Sequence, residues 1–229
     1  MSKLQTKPAT PKKETISPSS LYKGRCARCT WLNYWHGFSI PANLSLQSSN
    51  SRMQEAFFDE VHTSKIDASL PAGTVKLYKG KKSSIPWEIN GERTRWAFFG
   101  ELDFVIEYED GRFGVADGKV SMKVDEAGII ENYFTQLHAY AFMLENPKAE
   151  DGQKVDSLGL IQWRINGTLP LESDPWGFKV EHRYIPVERN DAKFKDFMDH
   201  FITVIEGEFP EPASDCADCA WLIKVGFQY

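Results

Sequence analysis

Cysteine is scarce in this chain, with four among 229 residues. A secreted domain held by a disulfide framework packs more of them into a shorter chain, so that class is excluded. Long apolar runs are missing as well: the longest, Ala139 to Leu144, falls far short of the roughly 20 residues that cross a bilayer. The lysines near the N-terminus are followed by no apolar stretch of the kind a secretory leader needs. Nor is there an excess of positive charge. Lys and Arg number 27 against 32 Asp and Glu, a formal net charge of −5, so no global field draws in nucleic acid or an anionic membrane, and any such binding rests on local patches. These absences lead to the expectation of a soluble, cytoplasmic protein without a membrane partner. What is present, 41% hydrophobic and 13% aromatic residues, suffices for one substantial core and excludes collagen-like, coiled-coil and wholly disordered chains.

The few cysteines are not scattered. They fall as Cys26-x-x-Cys29 near the start and Cys216-x-x-Cys219 near the end, two hooks whose four thiolates are expected to converge on a metal or cluster rather than to serve as free or redox-active thiols. Four thiolates suit [4Fe–4S] or Zn²⁺, and the ligand set alone does not choose between them. Either would clip the two ends of the domain together and close a very long loop.

Residues 1–16 carry Lys3, Lys7, Lys12, Lys13, Pro8 and Pro11 with almost nothing apolar, which predicts a flexible basic tail ahead of a single domain over 17–229. Ser17-Pro18-Ser19-Ser20 supplies a helix start before the first hook. A loop is expected from Gly37 to Ser51. From Ser51 to His62, Met53, Phe57 and Val61 recur at steps of four, as in an amphipathic helix with those three inward and Glu55, Asp59 and His62 on another face. Short strands are expected at 74–78, 85–89 and 94–98, with Asn90-Gly91 a hairpin signal. A hairpin follows over 100–120 about Glu109-Asp110-Gly111. Glu131 to Glu145 is the best helix, closed by Asn146-Pro147, and strands at 158–165 and 178–185 precede a helix at 192–205. The pattern is α/β.

The hairpin carries the chemistry. If its strands pair about residues 109–111, Asp103 lies opposite or nearly opposite Asp117 to Lys119, and period-two alternation puts Asp117 and Lys119 on one face. Two carboxylates and an ammonium suit divalent-metal phosphodiester hydrolysis: hard oxygens hold Mg²⁺ or Mn²⁺ with positions left for water and phosphate, while the lysine orients the water or stabilises developing charge. Gly118 lets the backbone approach, making its carbonyl a candidate third ligand. The competing reading is a solvated set of surface charges or a cross-strand ion pair.

Taken with the next helix, the sequence resembles the RecB-like branch of the PD-(D/E)XK nuclease superfamily. Gly100-Glu-Leu-Asp103 resembles its Gly-x-x-Asp motif, Asp117-Gly118-Lys119 its (Asp/Glu)-x-Lys motif and Gln136-x-x-x-Tyr140 its helical Gln-x-x-x-Tyr motif. The cysteines at both ends are similar to those of iron–sulfur members of that branch, the nuclease domains of AddB-type helicase–nucleases and the CRISPR-associated four-cysteine exonucleases. The resemblance implies a restriction-endonuclease-like core, with a central mixed sheet flanked by helices and termini joined by a [4Fe–4S] cluster on Cys26, Cys29, Cys216 and Cys219. It implies a metal-dependent deoxyribonuclease, exonucleolytic and preferring single strands, working in repair, recombination or CRISPR adaptation with a helicase or other assembly partner. Asp103, Asp117 and the Gly118 carbonyl would hold Mg²⁺ or Mn²⁺, Lys119 would act on the attacking water, and Gln136 and Tyr140 would contact DNA or brace the site, with Tyr133 one turn earlier. The alternative is a catalytically inactive DNA-binding or scaffold subunit of the same architecture. A third reading is a redox or sensory iron–sulfur protein.

The sequence departs from the family pattern in three places. Leu102 stands where a proline usually precedes the first aspartate. The acidic or histidine ligand of the N-terminal helix has competing matches in Glu55, Asp59 and His62, with Gln54 beside them. The cysteines are divided two and two rather than one and three. Two basic, aromatic stretches, Tyr22, Lys23, Arg25, Arg28, Trp31 and then Lys76, Tyr78, Lys79, Lys81, Lys82, Trp87, Arg93, Arg95, Trp96, are candidate DNA surfaces. For 76–82 a solvated hairpin edge is the equal alternative.

Overall fold

The computed structural model describes residues 4–21, 26–39, 45–120, 125–170 and 176–224. In chain order its elements are β1 (Thr15–Ile16), α1 (Ala27–His36), α2 (Ser45–Phe58), β2 (Val61–His62), β3 (Gly73–Leu77), β4 (Lys82–Ile89), β5 (Glu92–Gly100), β6 (Phe104–Tyr108), β7 (Phe113–Val120), α3 (Glu126–Glu145), β8 (Val155–Pro170), β9 (Trp176–Val187), α4 (Asp191–Glu206) and α5 (Ala217–Lys224). The strands make two sheets, one ordered β1-β5-β4 and one ordered β2-β3-β6-β7-β8-β9. In the larger sheet only β7 and β8 run parallel, and α3 is the crossover between them. The described residues therefore form a mixed α/β structure.

Local chemistry explains the turns and helix ends. Asn90 and Gly91, at φ 54° and 83°, form the two-residue turn between β4 and β5, a conformation glycine and asparagine accept most readily. Asp125 caps α3 by accepting from Gly128 N at 3.1 Å, Asn190 caps α4 by accepting from Lys193 N at 2.9 Å, and Cys26 stands at the N-cap of α1. Along α4, Phe194, Met198, Phe201, Ile202 and Ile205 fall on one buried stripe, the helical repeat made visible.

Alternation along β6 and β7 divides the core. Val105 and Val115 join the cluster containing α1, α3 and α4, while Phe104, Ile106 and Ala116 face a second cluster with Phe58 of α2. Asp117 and Lys119 share the Val115 face and so look toward α3; Gly118 shares the Ala116 face and looks toward α2.

Several expectations are corrected. Residues 37–51 are not wholly loop, because α2 already begins at Ser45. Its inward face is also different. Met53 and Phe57 are 61% and 57% exposed whereas Phe58 is fully buried. Gln54 is buried too, its amide donating to Ile161 O at 2.7 Å; a satisfied amide costs little to bury, and hydropathy alone does not anticipate it. Val61 belongs to β2 rather than to the helix. The segment read as a basic tail ends in structure: β1 pairs parallel with β5 and buries Ile16, and Lys12 N and Lys13 N both donate to Tyr34 O.

Candidate active site and metal centre

Two sites emerge, one of acids beside the β6–β7 hairpin and one of thiols where the chain ends meet. In the first, Phe104 lies opposite Ala116, which carries Asp103, one residue before β6, to the level of Asp117. Gly118 N donates to Asp103 Oδ2 at 2.9 Å. Asp117 is fully buried. Its Oδ1 accepts from Gln136 Nε2 at 2.7 Å, and the same nitrogen donates to the Tyr140 hydroxyl at 2.8 Å. Lys119 Nζ is 2.6 Å from Asp117 Oδ2, yet that oxygen has no aligned hydrogen-bond donor among the described residues. The ammonium also lies over the Tyr133 ring, 4.7 Å from its centroid.

Asp103, Asp117, Gly118, Lys119, Gln136 and Tyr140 line a cleft of about 440 Å³ together with Glu55, Glu101, Lys81, Ser17, Ser19 and Ser51. Four carboxylates thus face two ammonium groups. Burial pushes the Asp117 carboxyl up to about 8, Lys119 opposing the rise and Asp103 adding to it. Glu55 is also raised, by burial and then by Asp103 and Glu101, with Arg52 opposing. Lys119 is pulled down by burial, but Asp117 and Asp103 outweigh this and its net shift is upward. Burial followed by the same two aspartates lifts the Tyr140 phenol well above its ordinary value. The site is short of positive charge.

Of the competing residues on the N-terminal helix, Glu55 lines the cleft. Asp59 is occupied elsewhere, accepting from Leu77 N at 2.8 Å and lying 3.6 Å from Lys79 Nζ. His62 sits in β2 and bonds Ser64. Gln54 packs under Gly118: a Cβ on that glycine would lie 2.7 Å from Gln54 Oε1. Glu101 was missed by sequence reasoning although it stands inside Gly100-Glu-Leu-Asp103; strand alternation did not single it out because 101–103 precede β6.

The candidate DNA surfaces fare differently. Tyr22, Lys23 and Arg25 lie outside the described residues. Trp31 is fully buried and Arg28 nearly so, the latter donating to Pro210 O and Glu211. Trp87 and Trp96 are also buried, their indoles donating to Asp199 and Glu206, so these aromatics are core rather than stacking surface. Lys82 is buried against Glu150. Lys81 remains in the open, 60% exposed. It borders both the acidic cleft and an adjoining groove that holds Phe99, with its Nζ 5.9 Å from the Phe99 ring centroid.

No protein-family model matches the chain, and no curated protein does. Among solved structures the chain is similar to one described as the crystal structure of SSO0001, with 12% identity and a TM-score of 0.46, over 87% of this chain and 80% of that one.

At the second site the four sulfurs meet. Cys26 Sγ is 3.5 Å from Cys219 Sγ, and Cys29 Sγ is 3.4 Å from Cys219 Sγ and 3.7 Å from Cys216 Sγ. All four lie within 4.8 Å of one another, too far apart for disulfides and close enough to share a metal. This is the one group of three or more His, Cys, Asp or Glu ligand atoms so clustered among the described residues. The surrounding helices fasten the same ends: Trp31 Nε1 donates to Gly207 O and Trp35 Nε1 to Ile205 O, joining α1 to α4. Among the described residues no helix is long and apolar enough to cross a membrane.

Proposed function

We propose that the chain is a metal-dependent nuclease of restriction-endonuclease-like architecture, hydrolysing DNA phosphodiesters in the cleft around Asp117, with the four cysteines holding a metal group as a structural staple. One observation carries the reading: a fully buried aspartate, raised to about 8 by burial and by Asp103, has one oxygen held by Gln136 and the other facing Lys119. Such a buried acid is costly without added positive charge, and hard oxygen donors suit a magnesium-class ion.

In this mechanism Asp103 and Asp117 would hold a divalent ion, with the Gly118 carbonyl as a further candidate donor and Glu55 lining the same cleft. When bound, the ion supplies positive charge that acidifies water and offsets charge on a phosphate. Gln136 fixes the rotamer of Asp117, and Tyr140 accepts from Gln136, so that the carboxylate does not reorganise during reaction. Lys119, released from Asp117, directs its ammonium to the attacking water or to a phosphate oxygen. Hydrolysis forms a P–O bond from water and breaks one to a sugar oxygen; the water proton passes to solvent and the leaving oxygen takes one up. Lys81 and the half-exposed Phe99 beside the cleft are suited to a phosphate and a base of a single strand.

Lys119→Ala and Asp117→Ala are expected to abolish Mg²⁺- or Mn²⁺-dependent degradation of labelled single-stranded DNA while preserving fold and bound metal at the cysteines. Persistent cleavage by both purified variants overturns the assignment. A second reading, a DNA-binding subunit without turnover, is favoured by the 2.6 Å approach of Lys119 to Asp117, which partly neutralises the acid without any metal. Binding of DNA by the wild-type chain with no cleavage in either ion selects it.

A further inference from the structure

We infer that the cysteine site holds one tetrahedrally coordinated metal ion and not an iron–sulfur cube. The inference rests on the reading that the thiols hold metal at all, and it concerns how many metal atoms they surround. Bond geometry decides the question. Around a single ion with metal–sulfur bonds of about 2.3 Å, the edges of the sulfur tetrahedron are about 3.8 Å. The three closest separations found here, 3.4, 3.5 and 3.7 Å, fall just under that edge, and every pair lies inside 4.8 Å.

A [4Fe–4S] cube places each cysteine sulfur one bond beyond its own corner iron. Its thiolates are therefore held farther apart than the edge of a tetrahedron about one ion, because the irons and sulfides of the cube lie between them. A spacing capped at 4.8 Å leaves no space for four irons and four sulfides between them. A two-iron rhomb fails too, because it divides its ligands into two separated pairs. Here the close approaches run without a gap from Cys26 to Cys219, to Cys29, to Cys216.

The backbone around the hooks supports the same assignment. Cys29 N is directed at Cys26 Sγ from 3.5 Å, so the first thiolate of the hook accepts from the amide of the last. Each hook also opens a helical turn, Thr30 N donating to Cys26 O and Ala220 N to Cys216 O. Cys29 and Cys219 are buried while Cys26 and Cys216 are partly covered. Four protein thiolates complete a tetrahedral shell and leave no position for water, which makes the ion structural; zinc is the expected occupant. Binding replaces the thiol protons, which go to solvent.

The test uses the full chain purified without oxygen, and it does not read nuclease activity. Metal and acid-labile sulfide are measured per chain, and X-ray absorption is recorded at the edge of the metal found. The expected result is one metal ion per chain, no labile sulfide, and a sulfur shell at about 2.3 Å with no metal–metal scattering; Co²⁺ exchanged into the site should then show the intense visible bands of a tetrahedral thiolate complex. Zinc or a lone iron without sulfide supports the inference. Several irons with matching sulfide overturn it while leaving the metal staple standing. Metal-free protein whose four thiols all react with a thiol reagent overturns the staple as well.

Discussion

Gln136 reaches from the middle of α3 to Asp117 on β7, its amide donating to Oδ1 at 2.7 Å. The hydrogen bond holds the buried carboxylate in one orientation. Gln136→Ala removes the donor, and Gln136→Glu sets a second acid beside the first. Both variants are expected to lower metal-dependent cleavage by about 10- to 100-fold, the usual cost of losing a group that orients a metal ligand. Titrating Mg²⁺ in the assay separates the causes: weaker metal binding shifts the titration, and Gln136→Glu should shift it more. Unchanged titrations for both variants would remove Gln136 from the site.

Asp117 also couples stability to pH. Its carboxyl is raised to about 8 in the fold, against about 4 in an unfolded chain. Folding therefore takes up a proton between those values, and the stability tied to that proton, complete below pH 4, is lost as pH rises toward 8. In magnesium-free buffer the thermal midpoint should fall across this window, and Asp117→Asn, with no proton to lose, should fall less steeply. Above pH 8, added Mg²⁺ should raise the wild-type midpoint and leave that of Asp117→Asn nearly unmoved. Parallel profiles for the two proteins contradict this account.

Gly118 is constrained by the helix packed on its face of the sheet. An added Cβ would lie 2.7 Å from Gln54 Oε1 and 3.2 Å from Phe104 Cε2, and Gln54 cannot swing away without giving up Ile161 O. Gly118→Ala should cost about 1–3 kcal/mol of unfolding free energy. Gly167→Ala, whose Cβ would meet nothing nearer than Lys179 Cβ at 3.9 Å, is the control expected to change little. Denaturant titrations of both variants measure the contrast, and equal midpoints contradict it.

Phe99 is 41% exposed beside Lys81. Phe99→Ala should weaken binding of a labelled single-stranded oligonucleotide by about 1–3 kcal/mol if a base stacks on the ring, with the thermal midpoint unchanged. Fluorescence anisotropy in Ca²⁺ buffer reads binding under conditions chosen to suppress turnover. Wild-type affinity in the variant removes Phe99 from the DNA path.

How much of this was legible in the sequence differs by kind of signal. The hairpin about residues 109–111 was readable because turn chemistry fixed its register, and register alone sets Asp103 beside Asp117. The cysteine hooks were equally plain from their spacing, whereas Gln136 and Tyr140, on one helix face by spacing, were drawn into the site only by the resemblance. Burial of polar and aromatic groups was less readable. Gln54 is inward because a carbonyl on β8 awaits it, a partner over a hundred residues away. Trp87 and Trp96, set among arginines and lysines, resembled a stacking surface, but Asp199 and Glu206 receive their indole hydrogens inside the fold. The pairing of Thr15 and Ile16 with β5 escaped notice because two residues carry no period.

The meeting of the cysteine hooks has a bearing on biosynthesis. Cys29 finds its partners 187 and 190 positions later, so a growing polypeptide must carry its first two thiols unprotected through nearly all of translation. Nascent chains stalled anywhere before residue 216 lack half of the ligands, so the four-thiol shell cannot close until that part of the chain is made.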